Sequence, residues 1–139
     1  MEITDISADD YLISKDKRLL QLDRVQGLLE KSYWAQNRPK DTIEKSIENS
    51  LCYGVYLNTV QVGFARVMTD YATAYYLCDV IIDEAHRGKG LGKKLIDTII
   101  HDDALKSLSG ILATKDAHGL YEQFGFAKGG DRYMSKKAD

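Results

Sequence analysis

With 139 residues, 44% of them hydrophobic and 29% charged, the chain is long enough for one domain with a sizeable core and too short for two. Its 19 Lys and Arg residues nearly balance 21 Asp and Glu residues, which gives a formal net charge of -2. This balance excludes a general affinity for nucleic acid or for an anionic membrane surface. We expect a single domain over residues 1–139, with any positive field confined to a local site.

Neither the cysteines nor the N-terminal residues indicate export. Cys52 and Cys78 form no Cys-x-x-Cys motif, which favours two buried free thiols in a reducing compartment over a disulfide. No apolar stretch approaches the ~20 residues of a membrane span, and residues 1–10 are acidic and polar, unlike a signal peptide. We therefore expect a cytoplasmic protein that does not insert into a membrane.

The first part of the chain predicts a short strand and two helices. Residues 11–14 are a strand candidate, and apolar residues at helical spacing over 22–29 predict the first helix. Asp41 and Glu44 have the spacing of a capping box, which predicts that a second, shorter helix begins at Asp41.

The middle of the chain changes to runs rich in β-branched and aromatic residues. Residues 51–56, 60–68 and Ala74–Ile82 predict a meander of three strands. An apolar stripe then predicts an amphipathic helix over residues 90–104.

Three short elements are predicted at the end of the chain. They are a strand over 111–114, a helix over 116–124 and a last strand over 126–134 that Gly129 and Gly130 interrupt. Because the helix over 90–104 lies between two strands, we expect a right-handed crossover and a locally parallel strand pair.

The most informative segment is a turn with three alternating glycines between an apolar strand and a helix. Gly88, Gly90 and Gly92 allow several backbone N–H groups to converge without Cβ atoms in the way. The first turn of the following helix adds further N–H groups and the positive end of its dipole. Formal positive charge comes from Arg87, Lys89, Lys93 and Lys94. This pattern predicts a diphosphate site, and the alternative is a plain helix start with a solvated basic face.

Two common phosphate motifs do not fit this turn. A dinucleotide fingerprint, G-x-G-x-x-G, fails because position 93 is Lys. A nucleotide P-loop fails because Arg87 stands where its first Gly belongs and Lys94 where its hydroxyl residue belongs.

The motif that remains is R-x-x-G-x-G, at Arg87, Gly90 and Gly92. A second motif lies in residues 114–126, where a small residue, Tyr121 and a Gly-Phe pair follow the next predicted strand. In these two motifs, and in the order of elements along most of its length, the chain resembles the GNAT superfamily of acyl-CoA N-acyltransferases. One departure is Thr114, because many members carry Asn at that position.

The resemblance implies a mixed α/β fold, with a twisted sheet of about six to seven strands and four helices, splayed where the acyl-CoA binds. It implies acetyl-CoA as the acetyl donor, with the pantetheine arm on the backbone of the last strand of the meander. The residues expected to bind it are Val80, Ile82, Arg87, Gly88, Lys89, Gly90, Leu91, Gly92, Lys93 and Thr114.

The implied reaction also assigns catalytic candidates. Tyr121 occupies the position of the family's general acid, which protonates the leaving thiolate. Asp79 is the first candidate for a base, with a carboxylate paired to Arg66 on the neighbouring strand as the equal alternative. Asp70, four positions after Arg66, is the second candidate base or again an ion-pair partner. A bulge in the strand Ala74–Ile82 would free a backbone N–H for the thioester oxygen.

The acceptor pocket is expected between the first two helices. Tyr33, Trp34, Arg38 and Arg66 are the candidates for substrate contact, with core packing of Trp34 and a solvent-facing Arg38 as alternatives. We expect a small primary amine as the acceptor. The alternatives are a protein lysine or N-terminal amine and, in another class, a non-catalytic acyl-CoA-binding module. The three histidines have no spacing suited to a metal site, so no metal is predicted. A homodimer is common in the superfamily.

Overall fold

The computed structural model describes residues 6–138, which form one five-stranded mixed sheet with α-helices packed against it. The strands are β1 (Tyr11–Ser14), β2 (Leu51–Leu57), β3 (Val60–Thr69), β4 (Ala74–Ile82) and β5 (Ser109–Leu112). The helices are α1 (Leu22–Glu30), α2 (Lys40–Glu48), α3 (Leu91–Ile100) and α4 (His118–Glu122). No helix in this part of the chain is long and apolar enough to cross a membrane.

The strands follow one another across the sheet in chain order. The first four are antiparallel, so the predicted meander is confirmed. β5 pairs with β4 in parallel, through four residue pairs from Ala74 with Ser109 to Leu77 with Leu112. The expected parallel pair, connected through a helix, is therefore present.

An apolar stripe holds α3 against the sheet. Leu91, Leu95, Ile96 and Ile99 are all buried, and each contributes about 1.5 to 3 kcal/mol by leaving water. The helix ends at Ile100, earlier than predicted. The reason lies at Asp102, whose carboxylate accepts the Ala104 N–H and the Tyr53 hydroxyl, and so competes with further helical turns.

The two faces of the sheet bury separate apolar clusters. One cluster joins α3 to residues such as Val55, Val67 and Leu77. The other joins α1 and α2 to Phe64 and Ile81. Alternation along the strands explains the division, because successive side chains point to opposite faces.

A β-bulge interrupts β4 at Asp79. Phe64 of β3 pairs with Ile81 and Arg66 pairs with Cys78, so one residue of β3 faces two residues of β4. Asp79 has φ +55, a left-handed conformation rarely adopted by a non-glycine residue inside a strand. The extra residue shifts the alternation, and it forms a bulge of the kind that the resemblance to the GNAT superfamily implies.

The last pair between β4 and β5 is Leu77 with Leu112, and the remaining five residues of β4 have no partner in β5. β4 and β5 therefore separate next to the bulge, as the predicted splay requires. It leaves backbone groups of β4 facing the space between the two strands.

The strand count is lower than predicted, because residues 126–134 form no strand. They are irregular, with a short 3-10 turn at Gly130–Arg132. None of them is buried, and Gly130 has φ +67. Adjacent glycines and a polar centre give this segment too little apolar surface to hold an edge strand.

The predicted capping box of the second helix is also absent. α2 begins at Lys40, with Pro39 in the N-cap position. Asp41 lies in the first turn, where its carboxylate accepts the adjacent Thr42 N–H. The fixed φ of proline starts the helix one residue before the predicted cap.

Candidate active site

A cavity of about 610 Å³ lies where β4 and β5 separate. Its walls come from the segment between α1 and α2, from β3 and β4, and from the segment that connects β5 to α4. Predicted site residues in its lining are Tyr33, Trp34, Arg38, Arg66, Asp79, Val80, Thr114 and Tyr121. A second cavity, of about 590 Å³, is lined by β5, α4 and the segment after α4, and it shares Leu112, Ala113, Thr114 and Tyr121 with the first.

The bulge residue Asp79 is the centre of a hydrogen-bonded cluster. Its Oδ1 accepts the Trp34 indole N–H at 2.8 Å. Its Oδ2 accepts Arg38 Nη1 and Arg66 Nε, each at 2.8 Å. The carboxylate is only 2% exposed, so both of its oxygens are occupied by protein donors rather than by water.

This environment makes Asp79 a poor general base. Burial alone would raise the pKa of its carboxyl, but the hydrogen bond from Arg66 and the charges of both arginines outweigh burial and hold the pKa below its usual value. Of the two predicted roles, the ion pair with Arg66 is the one observed, and Arg38 joins it. Proton abstraction by Asp79 is therefore disfavoured.

Asp70 is not a candidate base either, because the structure places it outside the cavity. β3 ends at Thr69, so Asp70 does not continue the face that carries Arg66. Its carboxylate accepts the hydroxyl and the N–H of Thr73 and the N–H of Ala72. These bonds lower the pKa of Asp70 and hold its side chain within the turn between β3 and β4.

Tyr121 lines the cavity from the first turns after β5. Burial raises the pKa of its phenol to about 12, so the hydroxyl is protonated throughout the neutral range. No group among residues 6–138 hydrogen-bonds to this hydroxyl, while the ring packs edge-on against Phe126. A protonated donor in a partly desolvated cavity has the properties required of a general acid.

An aromatic corner forms the rim of the cavity. Tyr33 and Trp34 meet edge to face, with ring centres 5.0 Å apart. The Tyr33 hydroxyl accepts the Lys115 N–H at 3.1 Å, and the Lys115 ammonium lies 5.4 Å from the centre of the same ring. Trp34 is 41% exposed and bound to Asp79, so it is not a core residue. Arg38 is bound to the same carboxylate rather than turned to water.

The glycine turn lies beyond the far end of β4. Gly88 and Gly90 have φ +82 and +78, and a Cβ at Gly88, Gly90 or Gly92 would point into open space. No side chain in the described chain caps the first turn of α3, which also contains no acidic residue. A left-handed glycine turn, an uncapped helix N-terminus and space for a ligand fit a phosphate group.

The basic side chains around the turn have different neighbours. Arg87 donates through Nε to the Ile82 carbonyl at 2.9 Å, which leaves its terminal nitrogens directed away from that bond. Lys89 donates to the Ile6 carbonyl at 2.7 Å, and Lys93 is exposed. The Ile82 and Leu91 side chains are buried in the core. Only their backbone groups can therefore face a ligand.

Comparisons with known proteins agree with this geometry. A family model described as an acetyltransferase (GNAT) domain matches residues 48–128. The chain belongs to the GNAT family of acetyltransferases. A GNAT-family protein from Xanthomonas campestris pv. campestris is 36% identical, with a TM-score of 0.88 over 92% of this chain and 93% of that one.

Two further relatives of this GNAT domain are known from sequence. The protein FG08082 of Gibberella zeae is 33% identical over 110 residues, which cover 65% of this chain and 62% of that protein. The chain therefore spans about three fifths of that relative. The uncharacterized N-acetyltransferase ycf52 of Pyropia yezoensis is 29% identical over 133 residues, or 91% of this chain and 75% of that protein.

Some cavity residues of the GNAT domain were missed from the sequence. Tyr76 and Cys78 line the cavity from β4. Cys78 pairs with Arg66 of β3 and Tyr76 lies two residues before Cys78, so the alternation of side chains along the strands places both on the same face of the sheet as Arg66. Lys115 and Asp116 also line it, and they fall inside the motif around Tyr121. Within residues 6–138, no group of three or more His, Cys, Asp or Glu side chains could hold a metal ion.

Proposed function

We propose that this GNAT domain catalyses acetyl-CoA-dependent N-acetylation of a small primary amine in the cytoplasm. The proposal rests chiefly on one observation. The protonated Tyr121 hydroxyl and the Arg38, Arg66 and Asp79 cluster line one cavity. That cavity lies at the splay of β4, the strand that leads into the glycine turn.

The residues around the turn fit the diphosphate of acetyl-CoA. The backbone amides of Gly88, Gly90 and Gly92 and the first turn of α3 would hold the phosphates, with Arg87 and Lys93 adding positive charge. The unpaired backbone of β4 near Val80 and the Thr114 side chain would contact the pantetheine arm. When bound, acetyl-CoA supplies an acetyl thioester, whose carbonyl carbon bonds to the amine nitrogen as the carbon–sulfur bond breaks.

The acceptor amine must lose a proton before it attacks. Since both oxygens of Asp79 already accept protein donors and its pKa is lowered, we assign this first proton to solvent water rather than to a protein carboxylate. The rate should therefore follow the fraction of acceptor that is already neutral. A second proton leaves the nitrogen as the amide forms.

Tyr121 would donate its hydroxyl proton to the departing thiolate. Burial disfavours the phenolate and raises the pKa of Tyr121 to about 12, but it disfavours a thiolate in the same cavity in the same way. Transfer between the two groups is therefore feasible despite the raised pKa. The phenolate then regains a proton that the nitrogen releases.

The rim of the cavity favours a small acceptor over a polypeptide. The bond between Tyr33 and Lys115 joins the segment after α1 to the segment after β5, and both residues line the cavity. We expect this bridge to hinder an extended peptide more than a small amine.

The direct test is release of free thiol from acetyl-CoA with panels of small amines and of lysine-containing peptides. We expect acceptor-dependent release with small amines only. A preference for peptides would assign a protein acceptor. Tight CoA binding with background release across both panels would instead indicate a non-catalytic acyl-CoA-binding module.

A further inference from the structure

The cluster around Asp79 contains more positive than negative charge. Two guanidinium groups, of Arg38 and Arg66, share the one Oδ2 of Asp79. The two arginine side chains are 23% and 12% exposed, so water compensates them only in part. Two cations and one anion give the cluster one net positive charge, and the other two charged residues that line the cavity, Lys115 and Asp116, offset each other.

The same arginines retain hydrogen-bond donors that the protein does not use. Arg66 donates hydrogen bonds through Nε to Asp79 and through Nη1 to Ser50. Arg38 donates one through Nη1 to Asp79. No acceptor among residues 6–138 hydrogen-bonds to Arg66 Nη2 or to Nε and Nη2 of Arg38. Guanidinium groups bind carboxylate and phosphate oxygens preferentially, because their planar N–H groups match those anions.

Coenzyme A does not account for this charge. Its phosphates belong at the glycine turn, which follows the C-terminal end of β4, and the thioester end near Tyr121 is uncharged. An anion in this cavity must therefore come from the acceptor.

We propose that the acceptor is a small primary amine that also carries an anionic group, a carboxylate or a phosphate, held by Arg38 and Arg66. This inference rests on the proposed function and specifies its substrate class. Asp79 is then a positioning residue, because it orients both guanidinium groups and fixes Trp34 beside them without contacting the acceptor.

The test compares matched amines with and without the anion. The carboxylate pair is 4-aminobutanoate and butylamine, and the phosphate pair is O-phosphoethanolamine and ethanolamine. We expect the anionic member of at least one pair to have a kcat/KM about tenfold higher or more, the usual effect of a hydrogen bond to a charged group. The pair with the larger ratio distinguishes carboxylate from phosphate.

Variants of Arg38 link the preference to the cluster. Arg38→Gln should raise KM for the anionic amine at least about tenfold with a nearly unchanged kcat, so that its preference over the matched neutral amine falls by about the same factor. Arg38→Lys keeps the charge without the planar fork, so it should give a smaller loss. Arg18→Gln is the control, because Arg18 pairs with Asp16 at the surface, is 89% exposed and should change neither constant.

The outcomes separate this inference from the proposed function. Equal or better turnover of the neutral amines would overturn the anionic acceptor and leave N-acetylation intact. A preference that persists in folded Arg38→Gln and Arg38→Lys proteins would also overturn the assignment to this cluster. If no amine of either pair is acetylated although acetyl-CoA binds, the proposed function fails, and the inference fails with it.

Discussion

Replacement of Asp79 by Asn should strongly destabilise the protein. The carboxylate is 2% exposed and balances two guanidinium groups, of Arg38 and Arg66. Asn provides one acceptor oxygen in place of two and directs an NH₂ group against a donor. Breaking a buried pair by removing one partner costs about 3 to 5 kcal/mol, and partial access of water to Arg38 places the expected loss near 3 kcal/mol.

The assay is urea unfolding followed by far-ultraviolet circular dichroism. With a denaturant slope of roughly 2 kcal/mol per molar urea, the loss lowers the unfolding midpoint by about 1.5 M. Asn tolerates the left-handed conformation of position 79 nearly as well as Asp, so backbone strain does not complicate the comparison. Asp103→Asn is the control, since its pair with Lys106 is exposed and its loss should not move the midpoint measurably.

The pH dependence tests the same reasoning. The pKa of Asp79 is lowered in the folded protein, so its stabilisation is complete above the unfolded-state pKa of about 3.9 and is lost as pH falls through the folded value. The difference between wild type and Asp79→Asn should therefore be constant from about pH 5 to 8 and shrink below about pH 4. A midpoint within about 0.3 M of wild type at pH 7 would refute the account of the cluster.

Three other substitutions, and one control variant, test the catalytic and cofactor assignments. Tyr121→Phe should lower kcat about 100-fold or more with little change in the dissociation constant of acetyl-CoA, as measured by initial rates and calorimetry; an unchanged kcat at saturating substrate would remove its acid role. Gly90→Ala should destabilise the fold by about 1 to 2 kcal/mol, because φ is +78, and should weaken acetyl-CoA binding. Gly27→Ala, in the middle of α1 with no atom near its Cβ, should instead add about 0.5 to 1 kcal/mol and leave binding unchanged. Arg87→Glu should weaken acetyl-CoA binding, and less so at high salt; equal affinities would contradict the diphosphate assignment.

The elements with strong periodicity could be predicted from the sequence alone. The stripe that ends at Ile99 predicted α3, and the apolar run Ala74–Ile82 predicted β4 with its observed bounds. In both cases the pattern that defines the element is the one that buries it, so local sequence and tertiary packing agree.

The errors lie where two signals in the sequence compete with each other. The segment over 126–134 has strand-like residues at its ends, but its glycines and charges leave no apolar face for the sheet. The capping box at Asp41 was overridden by Pro39, whose backbone already has the conformation needed to start a helix. In both cases the residues that decide the outcome are close in sequence, and the structure shows which of the competing signals prevails.

The candidate site also has one part that could be predicted from the sequence and one part that could not. The glycine turn is local in sequence, so its shape could be predicted from Gly88 and Gly90. The partners of Asp79 could not, because Trp34 and Arg38 lie 45 and 41 residues away along the chain. A carboxylate in an apolar strand indicated that a partner was needed, but only the fold shows that three donors share it.

Isothermal titration of the folded wild-type protein with acetyl-CoA tests the central claim most directly, because every later step requires the glycine turn to bind that molecule. The account predicts saturable 1:1 binding that weakens as salt rises, together with a higher melting temperature in the presence of the ligand. Absence of binding heat at two temperatures, with no shift in melting temperature, would contradict it.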